Sequence, residues 1–269
     1  MLPLVNQPFF QLGTHPGACL LLHGLGGGVY EMQRLGESLH LEGFTVQGIQ
    51  YPGHDRPLSK MPPSTWEMWY AHVEASYRSL AADYGTVYVI GFSTGGTLAL
   101  HLAAQHPVAG LVLLCPYLSL HRPWFLPLPL EALIHSVGYL WGDVPRWRLP
   151  IADPQARLEA KQVVFFHTFS LASVRSAMTL ITRVKEEVPT LRLPTLILQS
   201  RRDSVVSSGM TQWLYNSLPS DQKRLVWLER SDHVIGLDYE KEQVFATVGD
   251  FLQERILSAK SQGDHAPEG

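Results

Sequence analysis

Two hydrophobic rhythms alternate along the 269 residues. Ala18-Cys19-Leu20-Leu21-Leu22, Val87-Tyr88-Val89-Ile90, Leu111-Val112-Leu113-Leu114 and Thr195-Leu196-Ile197-Leu198-Gln199 are short runs dominated by apolar residues, without the in-and-out alternation of a half-exposed strand. They predict strands covered on both faces, as in a parallel sheet. Between them apolar residues return at helical spacing, first as Met32, Leu35 and Leu39 ahead of a C-terminal Gly43, later as Leu171, Val174, Met178, Ile181 and Val184. Residues 44–49 and 225–228 supply two further strands. Ser64-Thr65-Trp66-Glu67 has the form of a capping box and predicts a helix running to about residue 84. Another helix is expected over 97–105, stopped by Pro107, and a last one over roughly 240–257. Strands alternating with helices predict an α/β fold with a mainly parallel, doubly wound sheet, whose ligands bind beyond the carboxyl ends of the strands.

From about residue 118 the texture changes. His121-Arg122-Pro123-Trp124-Phe125-Leu126-Pro127-Leu128-Pro129 is too proline-broken for a sheet and unusually apolar for a surface loop. Leu130, Leu133, Ile134, Val137, Leu140 and Trp141 then repeat at helical spacing, and Asp153-Pro154 has the N-cap and first-turn proline of a new helix. Residues 118–167 therefore read as a helical cap inserted between two core segments, 1–117 and 168–269. Trp124, Phe125, Trp141, Phe165, Phe166 and Phe169 are candidates for the walls of an apolar substrate pocket, or else for the cap's own core. The polar end of the chain, about 259–269, is expected to be disordered.

Composition narrows the partners. The net charge of −3 comes with Lys and Arg scattered in ones and twos, so no nucleic-acid partner is expected. The two cysteines, Cys19 and Cys115, sit in or beside apolar runs and read as buried thiols in a reducing compartment, not as a disulfide or a metal site. Nothing near residue 1 has the form of a signal peptide, and no run approaches the roughly 20 apolar residues of a membrane span. The expectation is a cytoplasmic protein without stable membrane insertion, monomeric or homodimeric.

Candidate chemistry gathers at the predicted strand ends. Gly91-Phe92-Ser93-Thr94-Gly95 follows a buried strand and opens a small-residue helix, the context of a nucleophile elbow. The glycines allow strand and helix to cross closely while the turn pushes Ser93 Oγ above the sheet. His23-Gly24-Leu25-Gly26-Gly27-Gly28 also follows a strand, but lacks the glycine spacing of a dinucleotide loop and the Lys-Ser/Thr of a phosphate loop. It fits a loop that lends a backbone N–H to an oxyanion hole, with Leu25 as one donor and Thr94 as the other. His23 is expected to orient this loop and His54 to brace a neighbouring one, since His54 and adjacent Asp55 point apart. Ser93, Asp203 and His233 fall at the ends of three strands in the chain order of a Ser-Asp-His triad. In that arrangement His233 is the general base, Asp203 holds its tautomer, and Ser93 attacks. Asp232 is a rival acid, ranked lower because it adjoins His233 and can hardly reach round to Nδ1.

The set Gly91-Phe92-Ser93-Thr94-Gly95-Gly96, His23-Gly24-Leu25-Gly26-Gly27, Asp203 with Val206, and Ser231-Asp232-His233-Val234-Ile235-Gly236-Leu237-Asp238 resembles the small bacterial carboxylesterases and monoacylglycerol lipases of the α/β-hydrolase superfamily. The resemblance spans about 18–257 and is weakest in the cap. It implies the α/β-hydrolase fold with a small helical cap insertion, and hydrolysis of a small-molecule carboxylic ester through an acyl-serine, with no metal or organic cofactor. Two features depart from the family. Thr94 stands where a bulkier apolar residue is common, which changes the pocket wall and keeps the backbone donor. Cys115-Pro116-Tyr117 ends its strand where a polar side chain for a glycerol headgroup would be looked for. The aromatic cap residues make short- to medium-chain acyl esters the primary expectation, and these two departures make monoacylglycerols the secondary one. The residues leave open a C–C hydrolase, perhydrolase or acyltransferase using the same triad, a hydrolase-derived ligand-binding protein, and an interaction protein docking through an apolar cap.

Overall fold

The computed structural model describes residues 3–122, 130–136 and 142–263. Its main sheet has seven strands: β1 (Phe9–Gln11), β2 (Ala18–Leu22), β3 (Thr45–Ile49), β4 (Val87–Phe92), β5 (Gly110–Leu114), β8 (Thr195–Ser200) and β9 (Lys223–Leu228). They lie in the order β1-β3-β2-β4-β5-β8-β9. Every neighbouring pair is parallel except β1 with β3. β2, β4, β5 and β8 are buried along their whole length because helices cover both faces.

The connecting helices are α1 (Tyr30–Leu41), α2 (Trp66–Tyr84), α3 (Thr94–Gln105), α6 (Leu171–Glu187), α7 (Ser208–Ser217) and α8 (Lys241–Gly263). From β2 the chain first moves one way, through α1 to β3, then returns through α2 to β4 on the other side of β2. Right-handed crossovers send these two helices to opposite faces. Accordingly α1 packs with α8, while α2, α3 and α6 pack with one another. This reversal lies between β2 and β4, whose register pairs Leu22 with Gly91. The loops after β2 and β4 therefore leave the sheet side by side, where a doubly wound sheet opens a crevice.

Between β5 and α6 the chain leaves the main sheet and forms α4 (Leu130–Ser136), β6 (Asp143–Pro145), α5 (Pro154–Lys161) and β7 (Thr168–Ser170). β7 pairs antiparallel with β6 in a separate two-stranded sheet. Asp153 caps α5 as its sequence suggests, Oδ1 accepting from the amides of Gln155 at 2.9 Å and Ala156 at 3.4 Å. Among the described residues no helix is long and apolar enough to cross a membrane.

Two expectations are corrected. The capping box at 64–67 is not formed by its own side chains. Ser64 Oγ accepts the Trp69 indole N–H, and serines of α6 serve the amides at the start of α2 and just before it, Trp66 N–H donating to Ser176 Oγ and Ser64 N–H to Ser173 Oγ. The end of the chain also holds more structure than expected: α8 continues to Gly263, five residues into the stretch 259–269 expected to be disordered. Ala259, Lys260 and Gln262 are good helix formers and prolong it until the glycine.

Close packing at the β4–α3 crossing explains its glycines. A Cβ at Gly91 would lie 2.3 Å from the Gly95 carbonyl oxygen, and one at Gly95 would lie 2.3 Å from that of Leu22. Gly85, by contrast, has φ +70° but faces open space. Urea unfolding is expected to show Gly95→Ala destabilised by about 3 kcal/mol or more, because backbone must move. Gly85→Ala should cost less, about 1–3 kcal/mol, the strain of an alanine held at φ +70° and ψ −46°.

Candidate active site

Ser93 occupies the turn between β4 and α3 with φ +53° and ψ −117°. An L-residue in this region carries about 1–3 kcal/mol of strain and keeps it only when its surroundings over-determine the backbone. They do: the Ser93 N–H donates to the Leu114 carbonyl at 2.9 Å, and its own carbonyl accepts from Gly96 at 2.9 Å and Tyr117 at 3.0 Å. The side chain is thereby aimed at His233, with 2.9 Å between Oγ and Nε2. His233 Nδ1 lies 2.8 Å from Asp203 Oδ2. Since a carboxylate only accepts, the ring proton sits on Nδ1 and the Nε2 lone pair is free to accept from the serine hydroxyl.

Asp203 is fixed on all sides. Oδ1 accepts from the amides of Val205 and Val206, both at 2.8 Å, and Oδ2 also accepts from Gln199 Nε2 at 2.9 Å. Thr211 in turn donates to Gln199 Oε1 at 2.7 Å. Burial pushes the Asp203 carboxyl up, but the His233 ring and the two amides outweigh it, and the group is held below the usual carboxylate range. Asp232 faces elsewhere. Its Oδ1 accepts the backbone N–H of His233 and of Ser204, both at 2.9 Å, and its Oδ2 accepts from Arg148 at 2.6 Å. It ties the histidine loop to the aspartate loop and leaves Nδ1 to Asp203, as its place in the chain suggests.

The loop after β2 has its amide groups almost fully assigned. Gly24 N–H donates to Glu31 Oε2 at 3.0 Å, Gly26 N–H to His54 Nε2 at 3.0 Å, and Gly27 N–H to the Gly24 carbonyl at 3.2 Å. The Gly28 amide also faces the Glu31 carboxylate. A Cβ at Gly27 would fall 2.2 Å from Glu31 Oε1, so the loop can wrap this carboxylate only with glycine there. Arg146, just past β6, reaches across to donate to the Gly26 carbonyl at 2.6 Å while stacking on Phe169. Among the described residues, the amides of Leu25 and Thr94 form no hydrogen bond, and both residues line the same cavity as Ser93. These two donors are available to a ligand oxygen.

That cavity holds about 340 Å³, with Ser93 and His233 among its lining residues and Leu120, Leu130, Ile134, Val144, Phe169 and Leu171 among its apolar walls. Phe169 lines it, but Phe165 and Phe166 do not, which corrects their expected place in the pocket. Phe166 is wholly buried with its ring edge-on to His54, and Phe165 leans on Phe166. Trp124, Phe125 and Trp141 lie outside the described residues. Cys115 Sγ comes within 4.8 Å of donor atoms of Asp203 and His233, a grouping that resembles a metal site. Asp203 and His233 are already committed to each other, and burial together with the Asp203 charge raises the Cys115 thiol well above its ordinary range, which keeps it protonated.

Glu31, Arg146 and Gln199 are absent from the residues singled out in the sequence. A signal existed for Glu31, which stands four residues before Leu35 on the buried stripe of α1. Arg146 has none, because its segment shows no periodicity.

This sheet, carrying a serine turn, a histidine and an acid at the ends of β4, β9 and β8, defines an α/β-hydrolase. The family described as "Serine aminopeptidase, S33" matches residues 13–240, and the chain belongs to it. The chain is 28% identical over 238 residues to a carboxylesterase of Bacillus subtilis (strain 168), covering 88% of this chain and 92% of that one. It is 29% identical over 239 residues to a thermostable monoacylglycerol lipase of Bacillus sp. (strain H-257), covering 88% and 90%. A solved structure from work on two metagenome-derived lipolytic enzymes, LipS and LipT, superposes with a TM-score of 0.83 at 25% identity, over 94% of this chain and 100% of that one.

The histidines under the glycine loop make stability pH-dependent. Burial lowers His23 from 6.5 to about 4, and burial with the nearby His23 lowers His54 well below its usual value. Between these limits the unfolded chain binds protons that the folded chain refuses, so stability falls as pH drops from 6.5 towards 4. His23 alone is expected to account for roughly 3 kcal/mol of that loss. Urea unfolding at several pH values should give a shallower slope over this interval for His23→Gln than for the wild type.

Proposed function

We propose that the protein is a serine carboxylesterase hydrolysing short- to medium-chain acyl esters, monoacylglycerols among them, through an acyl-serine intermediate. The observation that carries this reading is the Ser93–His233–Asp203 relay, at 2.9 and 2.8 Å, opening on an apolar cavity beside two unpartnered amides. Ser93 attacks the ester carbonyl while His233 takes its proton, a role worth about 10² to 10⁴ in rate. Asp203 stabilises the imidazolium. The Leu25 and Thr94 amides receive the developing oxyanion, each contributing on the order of 3 kcal/mol to the transition state. His233 then returns the proton to the leaving alcohol, and water, activated by the same ring, releases the acid.

The acyl group lies against Phe169, Leu171 and Ile134. A volume of about 340 Å³ is near the lower end of ligand pockets and favours modest chains. Residues 118–167 act as the cap over this pocket. Free, buried Cys19 and Cys115 suit a reducing cytoplasmic setting.

p-Nitrophenyl esters of graded length test the reading. Turnover should peak at short to medium acyl chains, fall at least about 10³-fold in Ser93→Ala, and fall by about 10⁴-fold in Asp203→Asn. Activity climbing steadily to long, emulsified substrates would contradict the chain-length claim. Full activity in Ser93→Ala would contradict the mechanism.

A further inference from the structure

Thr94 is the first residue of α3, directly after Ser93, and is 1% exposed. Its Oγ1 is buried and has no hydrogen-bond partner among the described residues. An unpartnered buried hydroxyl costs on the order of 1–3 kcal/mol and calls for a reason. The helix itself offers a contrast: three residues on, equally buried Thr97 donates from Oγ1 to the Tyr117 carbonyl at 2.6 Å. A threonine in a helix ordinarily bonds back to a carbonyl of the preceding turn and has two rotamers available for doing so. Thr94 stands at the first turn, straight after the strained serine, and makes no such bond.

Its surroundings supply the reason. Thr94 lines the cavity with Ser93 and Leu25, and its own amide is one of the two unpartnered donors there. Within one threonine the hydroxyl oxygen lies three bonds from the amide nitrogen. An oxygen accepting from that N–H is therefore within reach of the hydroxyl after a rotation about χ1. A tetrahedral oxyanion has three lone pairs, and the Leu25 and Thr94 amides serve two.

We propose that the Thr94 hydroxyl is a third oxyanion donor, a catalytic group that finds its hydrogen bond only when the tetrahedral intermediate forms. This rests on the esterase reading above. A donor without a partner in the free protein and paired in the transition state contributes to kcat and little to substrate affinity. The hydroxyl donates without losing its proton, so no bond is made or broken at Thr94. The small side chain at this position thus has a chemical role beyond reshaping the pocket wall.

The test uses Thr94→Val, which keeps the shape and removes the hydroxyl, and Thr94→Ser, which keeps the hydroxyl and removes the methyl. Each is assayed on a short-chain p-nitrophenyl ester and on the corresponding thionoester, whose sulfur is a poor hydrogen-bond acceptor. Thr94→Val is expected to lower kcat on the oxoester about 10- to 100-fold with KM changed less than about threefold, somewhat below the loss seen when one of two oxyanion donors is removed. Its oxoester-to-thionoester rate ratio should shrink by the same factor. Thr94→Ser should stay within about threefold of wild type. The melting temperature of Thr94→Val should hold or rise, since no hydrogen bond of the free protein is lost. Unchanged turnover in Thr94→Val, an equal loss on both esters, or a serine variant as impaired as the valine variant would each overturn the proposal. Wild-type protein without oxoester turnover would instead remove the esterase reading on which it stands.

Discussion

The structure depends on one forced conformation, Ser93 at φ +53° in the turn between β4 and α3. Strain of this kind survives only when neighbours leave no alternative. Here the adjacent strand holds the serine amide, the first turn of α3 and the Tyr117 amide hold its carbonyl, and two glycines remove the Cβ atoms that would block the crossing. Releasing the turn would mean separating β4 from β5 or lifting α3 from the sheet. The hydroxyl is thus aimed by the packing of the core, and the aspartate and histidine loops need only meet it.

Meeting it is a matter of hydrogen-bond assignment. The histidine loop is held by carboxylates that accept backbone N–H groups: Asp238 takes those of Asp232, Ala152 and Asp153, and Glu240 takes those of Glu229, Arg230 and Ser231. Asp238 thereby joins the histidine loop to the segment leading into α5, so the excursion from the sheet and the catalytic loops share a carboxylate. Under the glycine loop Glu31 and His54 take every neighbouring amide that the loop does not satisfy itself. Among the described residues, what remains unpaired is the Leu25 N–H, together with that of Thr94 on the wall of the same cavity. Polar groups away from water are nearly always satisfied, and under the proposed esterase reading these two unpaired amides on the cavity wall are where charge is received.

The sequence exposes those parts of this design whose causes are local. Short apolar runs bounded by turn residues read as strands, a glycine on each side of a serine at a strand-to-helix turn reads as space for a close crossing, and three polar residues after three such runs fall on one edge of the sheet. Long-range partners leave no such mark. The amides at the start of α2 and just before it are served by serines of α6, more than a hundred residues away, and this defeats a capping box that looks complete on its own. β1, β6 and β7 have three residues each, too few to show a period. Phe166 and Phe169 are three residues apart with the same side chain, yet one packs on His54 and the other faces the cavity. Arg146 matters because it reaches the glycine loop from 120 residues away, and nothing near it in the chain announces that contact.

The central claim is that the strained serine is a nucleophile, and trapping the covalent intermediate tests it most directly. The protein is mixed with an activated short-chain ester, quenched in acid during the burst, and its intact mass and digested peptides are measured. The account predicts one acyl increment on the peptide carrying Ser93, appearing in the burst and decaying at the rate of turnover. Acylation at a different residue, or sustained turnover with no covalent adduct at any time, would contradict it.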